Sequence, residues 1–308
     1  MKWTASDVGD LSGRVVLVTG GNSGIGLEAV RVLAAHGARV ILACRNTAKG
    51  EAAARGLPGV DVLELDLADL GSVAEAARSV AKTHDRLDVL VNNAGVMATP
   101  YRQTLDGFEL QFGTNHLGHF ALTGELLPVL LTAGAPRVVT VSSGAHRMGG
   151  IDFDNLDGSR GYHKWRAYAQ SKLANLLFTF ELQRRAAAAG TGLIAVAAHP
   201  GYAATNLQQA GPRMAGSKVG EWLSGLGNLV FAQSAAAGAL PTLYAATAPD
   251  VEGGDYIGPD GLGEIRGHPK KVGTAPAARN PEVAARLWAV SEQLTGVRYS
   301  WPQTRRGA

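Results

Sequence analysis

Four side chains, Asn115, Ser143, Tyr168 and Lys172, follow a glycine-rich loop, Thr19-Gly20-Gly21-Asn22-Ser23-Gly24-Ile25-Gly26, in an order that suits coupled proton and hydride transfer. Tyr168 and Lys172 are four positions apart on a helical pattern, so they share one face, a turn apart. A free phenol has a pKa of about 10 and exchanges protons poorly at neutral pH. A nearby ammonium, joined by the positive ring of an oxidised nicotinamide, favours the phenolate. Bringing the phenol near 7 takes roughly 4 kcal/mol, at ~1.4 kcal/mol per unit. Ser143 closes a strand pattern at the carboxyl edge of the expected sheet, where such folds place ligands. Its hydroxyl can hold a carbonyl oxygen for attack. Asn115 lies in the helical stretch after the fourth strand and can anchor a water that relays protons to Lys172. A tyrosine and lysine at this spacing recur by chance. The ordered set with the loop is what points to an oxidoreductase.

The loop lies between a strand pattern and a helix pattern, and that context outweighs the glycine spacing itself. Gly20, Asn22, Ser23, Gly24, Ile25 and Gly26 are expected to cradle a pyrophosphate. Glycine allows the tight turn and the close backbone approach, and the helix N-terminus adds favourable partial charge. A glycine-rich turn without a ligand is the competing reading. The end of the second strand selects the cofactor. A carboxylate there binds the ribose 2′-hydroxyl and favours NAD. This chain has Ala43-Cys44-Arg45-Asn46-Thr47-Ala48-Lys49 instead. The planar fork of Arg45 suits a 2′-phosphate, and Lys49 can add charge. NADP(H) is therefore expected ahead of NAD(H), the alternative being that Arg45 is a solvated loop residue. Asp66, with Leu67 beside it, is placed to accept from an adenine amino group, although Asp66 also suits a cap for the helix starting near Leu70. Asn93, Ala94 and Gly95 are expected to stiffen the sheet edge and let the backbone approach the cofactor.

Apolar, β-branched runs alternate with helical patterns. Strands are expected at 14–19, 39–43, 60–65, 87–91, 137–141 and 193–198, with a seventh starting at Tyr256-Ile257. Helices are expected at 25–35, 47–55, 70–82, 165–188, 234–246 and 281–294, with a long one across much of 108–131. Strand runs apolar throughout mean that both sheet faces are covered. Repeated β–α–β units give right-handed crossovers and one doubly wound parallel sheet flanked by helices, an α/β fold of the Rossmann type. The expected division is an N-terminal extension over 1–13, a single domain over 14–260 and a C-terminal appendage over 261–308.

The 308 residues suit such a domain. With 29 basic and 26 acidic side chains, the net charge of +3 gives no case for nucleic acid. A single cysteine, Cys44, excludes an internal disulfide and fits a reducing, cytoplasmic setting. Residues 1–13 are polar and no run reaches ~18 apolar residues, so neither signal peptide nor membrane span is expected.

The loop at Thr19–Gly26, Asn92–Gly95, Asn115, Ser142-Ser143, Tyr168–Lys172 and Pro200-Gly201 together resemble the short-chain dehydrogenase/reductase family, compact single-domain type. The stretches Ala43-Cys44-Arg45, Thr114–Phe120 and Gln170–Asn175 are closer still to its retinol dehydrogenase and WW-domain oxidoreductase branch. The resemblance implies that Tyr168 is the acid/base and Ser143 the carbonyl orienter. It implies that Lys172 holds the ribose hydroxyls and lowers the phenol pKa, with Asn115 completing the relay. Pro200, Gly201 and Thr205 would meet the nicotinamide carboxamide. These motifs mark cofactor and chemistry; they do not identify the substrate pocket. Residues 206–231 are expected to form a lid over an apolar carbonyl or alcohol substrate, the alternative being helices packed against the core. The helices at 108–131 and 165–188 are the family's usual pairing surface, which suggests a homodimer or homotetramer, while relatives with long insertions are monomeric. His116 and His119 have helical spacing, but no third ligand is evident, and no metal is expected. A cofactor-sensing regulator of the same fold is the alternative function. The complete tetrad argues against it.

Overall fold

The computed structural model describes residues 2–202 and 233–302. Among them, strands β1 (Val15–Thr19), β2 (Arg39–Cys44), β3 (Val60–Glu64), β4 (Val89–Asn92), β5 (Arg137–Val141), β6 (Ile194–Ala198), β7 (Tyr256–Pro259) and β8 (Pro269–Lys271) form one sheet. Their order is β3-β2-β1-β4-β5-β6-β7-β8. The strands from β1 to β7 pair in parallel, and β1 aligns Val16, Leu17 and Val18 with Val89, Leu90 and Val91 of β4. The chain reverses its winding between β1 and β4. Loops leaving their carboxyl ends diverge and open a crevice there. The glycine loop follows β1 and Asn93–Gly95 follow β4, so both lie on that crevice.

Helices cover both faces: α1 (Gly24–Ala35), α2 (Thr47–Ala54), α3 (Leu70–Thr83), a short turn α4 (Leu110–Phe112), α5 (Gly118–Leu130), α6 (Lys164–Ala188), α7 (Ala235–Thr247) and α8 (Pro281–Thr295). None of the described helices is long and apolar enough to cross a membrane. Sheet residues Leu17, Ile41 and Leu90 pack beneath α3 and α5. Their neighbours Val16, Val18, Val40 and Val91 pack beneath α1 and α7. This two-sided burial explains the strands' unbroken apolar character.

Two features depart from the expected elements. The long helix across 108–131 is interrupted by a π-helical turn, Gly113–Leu117, with Asn115 at its centre. Glycines at both ends allow close packing. A Cβ on Gly113 would lie 2.5 Å from the Thr104 methyl, and one on Gly118 would strike the Leu67 carbonyl. Such turns add a residue to the helix and often mark functional positions. The second departure is β8, which pairs antiparallel with β7. Its sequence, Pro-Lys-Lys, is short and charged, as edge strands tend to be.

Helix α8 has Asn280 as N-cap, with its side chain accepting from the backbone of Glu282 and Val283, and ends at Gly296 in the left-handed region. It lies on α6. Trp288 stacks on Phe178 and meets Phe120 edge-on, with centroids 5.9 and 5.1 Å away. The Tyr299 hydroxyl donates to the Phe120 carbonyl at 2.7 Å. Within α5 only Glu125 and Pro128 stay exposed. The helix faces expected to pair with a second copy are thus largely covered by the chain's own C-terminal segment.

Candidate active site

The glycine loop has the shape an anion needs. Gly20 and Gly24 have φ of 67° and 54°, which glycine adopts without strain. A Cβ on Gly26 would collide with the Gly20 carbonyl and lie 2.6 Å from the Asn93 amide nitrogen. Ser23 is the N-cap of α1, yet its side chain makes no capping hydrogen bond, and the first turn carries no acidic residue. The first N–H groups of α1 therefore lack a side-chain acceptor, as a pyrophosphate site requires.

Asn93 and Ala94 are fixed to the end of β1. Both backbone N–H groups donate to the Thr19 hydroxyl at 2.9 Å, and the Asn93 side chain donates to the Thr19 carbonyl at 2.8 Å. Asn92 reaches the other way, to Thr123 of α5, at 3.0 Å. Arg45, just past β2, is largely exposed, with its guanidinium 3.9 Å from the Asp66 carboxylate. Asp66 accepts from the Ala68 backbone N–H at 3.0 Å. The cap of α3 is Asp69, which accepts from Gly71 and Ser72, so Asp66 is not needed for that role. Leu67 is buried, with its carbonyl against Gly118. Gly201, after β6, has φ of 66°, and a Cβ there would strike the Ile265 carbonyl. Pro200 accepts from the Gln233 side chain. Thr205 and the expected lid, 206–231, lie outside the described residues.

The four tetrad residues come together at the carboxyl ends of β4 and β5. Asn115 is fully buried. Its side chain accepts from the Val96 N–H at 2.8 Å and donates to the Val96 carbonyl and Ser171 hydroxyl, both at 2.9 Å. A Cβ on Gly95 would lie 3.0 Å from the Asn115 carboxamide oxygen and 3.6 Å from Lys172 Nζ, so both side chains face that glycine. Lys172 Nζ donates to the Val141 carbonyl at 3.1 Å, which also accepts from Asn175 at 3.1 Å. Ser143 caps the turn that follows β5 and accepts from Ala145 at 3.2 Å. Its hydroxyl lies on the Tyr168 side and opposes the rise in the phenol's pKa.

The electrostatics differ from the expectation that Lys172 draws the phenol toward neutrality. Tyr168 is buried, and desolvation pushes its pKa up to about 12 against the opposing Ser143 hydrogen bond. Lys172 Nζ stands 5.8 Å from the centroid of the phenol ring. Burial also pulls Lys172 down to about 8. Both groups are dry, so each resists its own charge. The chain's own residues therefore keep Tyr168 protonated.

Sequence reasoning missed the supporting contacts. Asn175 lies within the noted Gln170–Asn175 stretch, but its sharing of the Val141 carbonyl depends on β5 lying beneath α6. Thr19 opens the loop motif, but its partners 74 and 75 positions away are visible only in three dimensions. His116 and His119 do not converge on a metal position. His116 meets Ser291 of α8, and His119 meets Thr19 and the Asn115 carbonyl.

Residues 14–215 match the family model for short chain dehydrogenases. The chain belongs to this family. It is 40% identical to human retinol dehydrogenase 14 and 42% identical to human retinol dehydrogenase 13. These alignments cover 94% and 93% of this chain, and 89% and 86% of those proteins. A solved structure of an uncharacterized protein from Mycobacterium Paratuberculosis is 47% identical, with a TM-score of 0.81 over 97% of this chain and all of that one. A short chain dehydrogenase from Shigella flexneri, solved with NADP, is 25% identical, with a TM-score of 0.60 over 80% of this chain and 97% of that one. The short-chain dehydrogenase fold and branch read from the sequence are those of the molecule.

The buried lysine gives a test that needs no ligand. An unfolded lysine holds its proton up to about pH 10.4, and Lys172 in the fold only to about 8. Between these values the unfolded chain binds more protons, so raising the pH favours the fold. The wild-type stability minus that of Lys172→Met should rise from pH 8 to 10 by about 1 kcal/mol per unit. A flat difference in chemical denaturation across that window contradicts the burial of Lys172.

Proposed function

We propose that this short-chain dehydrogenase is an NADP(H)-dependent oxidoreductase that interconverts a carbonyl and an alcohol on an apolar small molecule. The observation that carries the reading is the buried Tyr168–Lys172 pair with the Ser143 hydroxyl against the phenol. The glycine loop would hold the pyrophosphate, Arg45 the 2′-phosphate, and Asp66, Leu67 and Asn93–Gly95 the adenosine side. Tyr168 and Lys172 would meet the nicotinamide ribose, and Pro200, Gly201 and Thr205 its carboxamide. The bound cofactor supplies or accepts the hydride.

In the reductive direction Ser143 donates a hydrogen bond to the substrate carbonyl oxygen and holds it beside Tyr168. The phenol, kept protonated by burial, gives its proton to that oxygen as negative charge develops there. Lys172 stabilises the resulting phenolate and helps return the proton, with Asn115 anchoring the relay. In the oxidative direction the same residues would act in reverse, with Tyr168 as the base; a bound oxidised nicotinamide would add positive charge that favours the phenolate. Trp165 stands edge-on to Tyr168, with centroids 6.4 Å apart, and is half exposed. Met148 ends the turn begun at Ser143 and is exposed. These side chains favour a ring-containing or aliphatic substrate, and the names of the relatives make retinaldehyde a natural first probe.

Tyr168→Phe should keep NADPH affinity within about twofold and lower turnover by 10²-fold or more, the range for loss of a general acid. Near wild-type NADPH oxidation with retinaldehyde or decanal removes Tyr168 from the acid/base role. Tight NADPH binding with no turnover in the wild type favours the sensor reading. Arg45→Asp should weaken NADPH at least tenfold more than NADH in paired titrations, since it replaces the phosphate's partner with a like charge. Equal losses take Arg45 out of the phosphate site. With α5 and α6 covered by α8 and Tyr299, we read the chain as a monomer. Light scattering should return 32.0 kDa, and twice that mass contradicts the reading.

A further inference from the structure

His119 is a buried histidine that the proposed chemistry does not use. It sits one turn after Asn115, where the π-helical turn gives way to α5. Its Nδ1 lies 3.0 Å from the Asn115 carbonyl oxygen, and its Nε2 lies 2.9 Å from the Thr19 hydroxyl. Thr19 is 100 positions away in the chain and directly precedes Gly20 of the phosphate loop.

The protons on this link follow from counting donors and acceptors. A carbonyl only accepts, so Nδ1 must carry a hydrogen and donate to Asn115. The Thr19 hydroxyl already accepts from the Asn93 and Ala94 N–H groups, both at 2.9 Å. Both its lone pairs are thereby taken, so its own hydrogen must point away as a donor. The Val91 carbonyl is a distant acceptor at 3.4 Å, and Nε2 is nearer. Nε2 is therefore the acceptor. Both ends demand the same neutral tautomer. Burial and the neighbouring Lys172 pull the imidazole pKa down to about 4, so it stays neutral across the working range. Thr123 accepts from Asn92, and its hydroxyl donates to the His119 carbonyl at 2.7 Å, so the ring is anchored from its own backbone as well.

We propose that His119 is a positioning residue: its Nδ1–H holds the Asn115 carbonyl, and with it the turn that carries Asn115 of the proposed relay, while the Thr19 hydroxyl fixes the tautomer that makes Nδ1 the donor. The inference rests on the functional reading above. A hydrogen-bonded path runs from the Asn93–Ala94 turn through the Thr19 hydroxyl and the imidazole to Asn115. The Asn115 side chain then continues the path to Val96 and Ser171, beside Lys172. Each member is a fixed acceptor or donor, so the ring presents Nδ1–H to Asn115 in one arrangement.

Two substitutions separate the ends of the link. Asparagine places its amide nitrogen near the position of Nδ1, and glutamine places its own near Nε2. His119→Asn keeps the donor to Asn115 and should hold kcat within about threefold of wild type. His119→Gln and His119→Phe lose that donor and should lower kcat about tenfold, less than the 10²–10⁴ supplied by a direct acid or base. The NADPH KM should stay within about twofold in all three, and the solvent isotope effect on kcat should grow in the Gln and Phe variants as proton resupply slows. Retinaldehyde or decanal serves as the carbonyl. Equal kcat losses in the Asn and Gln variants, or losses that track melting temperature with no isotope change, overturn the proposal. An independent arm needs no turnover. Nitrogen-15 spectra of the wild type labelled in histidine, with His119 assigned by its loss in His119→Asn, should show an Nδ1-protonated ring from pH 6 to 9. An Nε2-protonated ring overturns the proposal. Full activity in Tyr168→Phe would instead remove the underlying reading and leave the tautomer result standing.

Discussion

The site depends on a cation kept dry. Lys172 is buried, its ammonium donates to the Val141 carbonyl, and no carboxylate among the described residues pairs with it. Removing a charge from water without a counter-ion is unfavourable, and folds tolerate it mainly where the charge is used. The same dryness raises the phenol of Tyr168. The pair is thus a neutral acid beside a weakened cation. A phenolate or ribose hydroxyls arriving at this position would relieve the lysine. The helical spacing of the two residues sets only their neighbourhood; the packing of α6 over β5 sets their energies.

Holding such a pair requires the surrounding backbone to be rigid, and two sets of supporting contacts converge on strand ends. Val141 receives both Lys172 and Asn175, while Thr19 receives Asn93 and Ala94. Ser142 contributes on the opposite side, its hydroxyl donating to the Lys172 carbonyl at 2.8 Å. The parallel register of β1, β4 and β5 therefore places these contacts side by side. The C-terminal segment adds to this frame from outside, through α8 on α6 and His116 against Ser291. What looked like an appendage contributes a sheet strand and covers the helices that carry Asn115 and Tyr168.

Much of this was legible in the sequence because it is written in local periodicity. The strand 137–141 and the helix 281–294 agree with the structure to within a residue, since apolar runs and the Asn280-Pro281 start leave little choice. The glycine loop also lies where its motif placed it, between β1 and α1. Other features were hidden because they arise only on packing. The π turn at Gly113–Leu117 has no period of its own, and it forms where Gly113 and Gly118 press against Thr104 and Leu67. β8 carries no apolar run, and only the edge of β7 makes it a strand. The phenol's upward shift could not be seen either, since a spacing rule reports the nearby ammonium and not the water that both groups have lost.

The central claim is tyrosine-assisted hydride exchange between a nicotinamide and a substrate carbonyl. The most direct measurement follows the hydride itself: NADPH carrying deuterium at nicotinamide C4, on the transferred face, is incubated with the protein and retinaldehyde or decanal. Mass spectrometry of the alcohol should find the label on the carbinol carbon, and the product should be absent when Tyr168 is phenylalanine. An alcohol formed without the label, or formed equally well by the variant, contradicts the account.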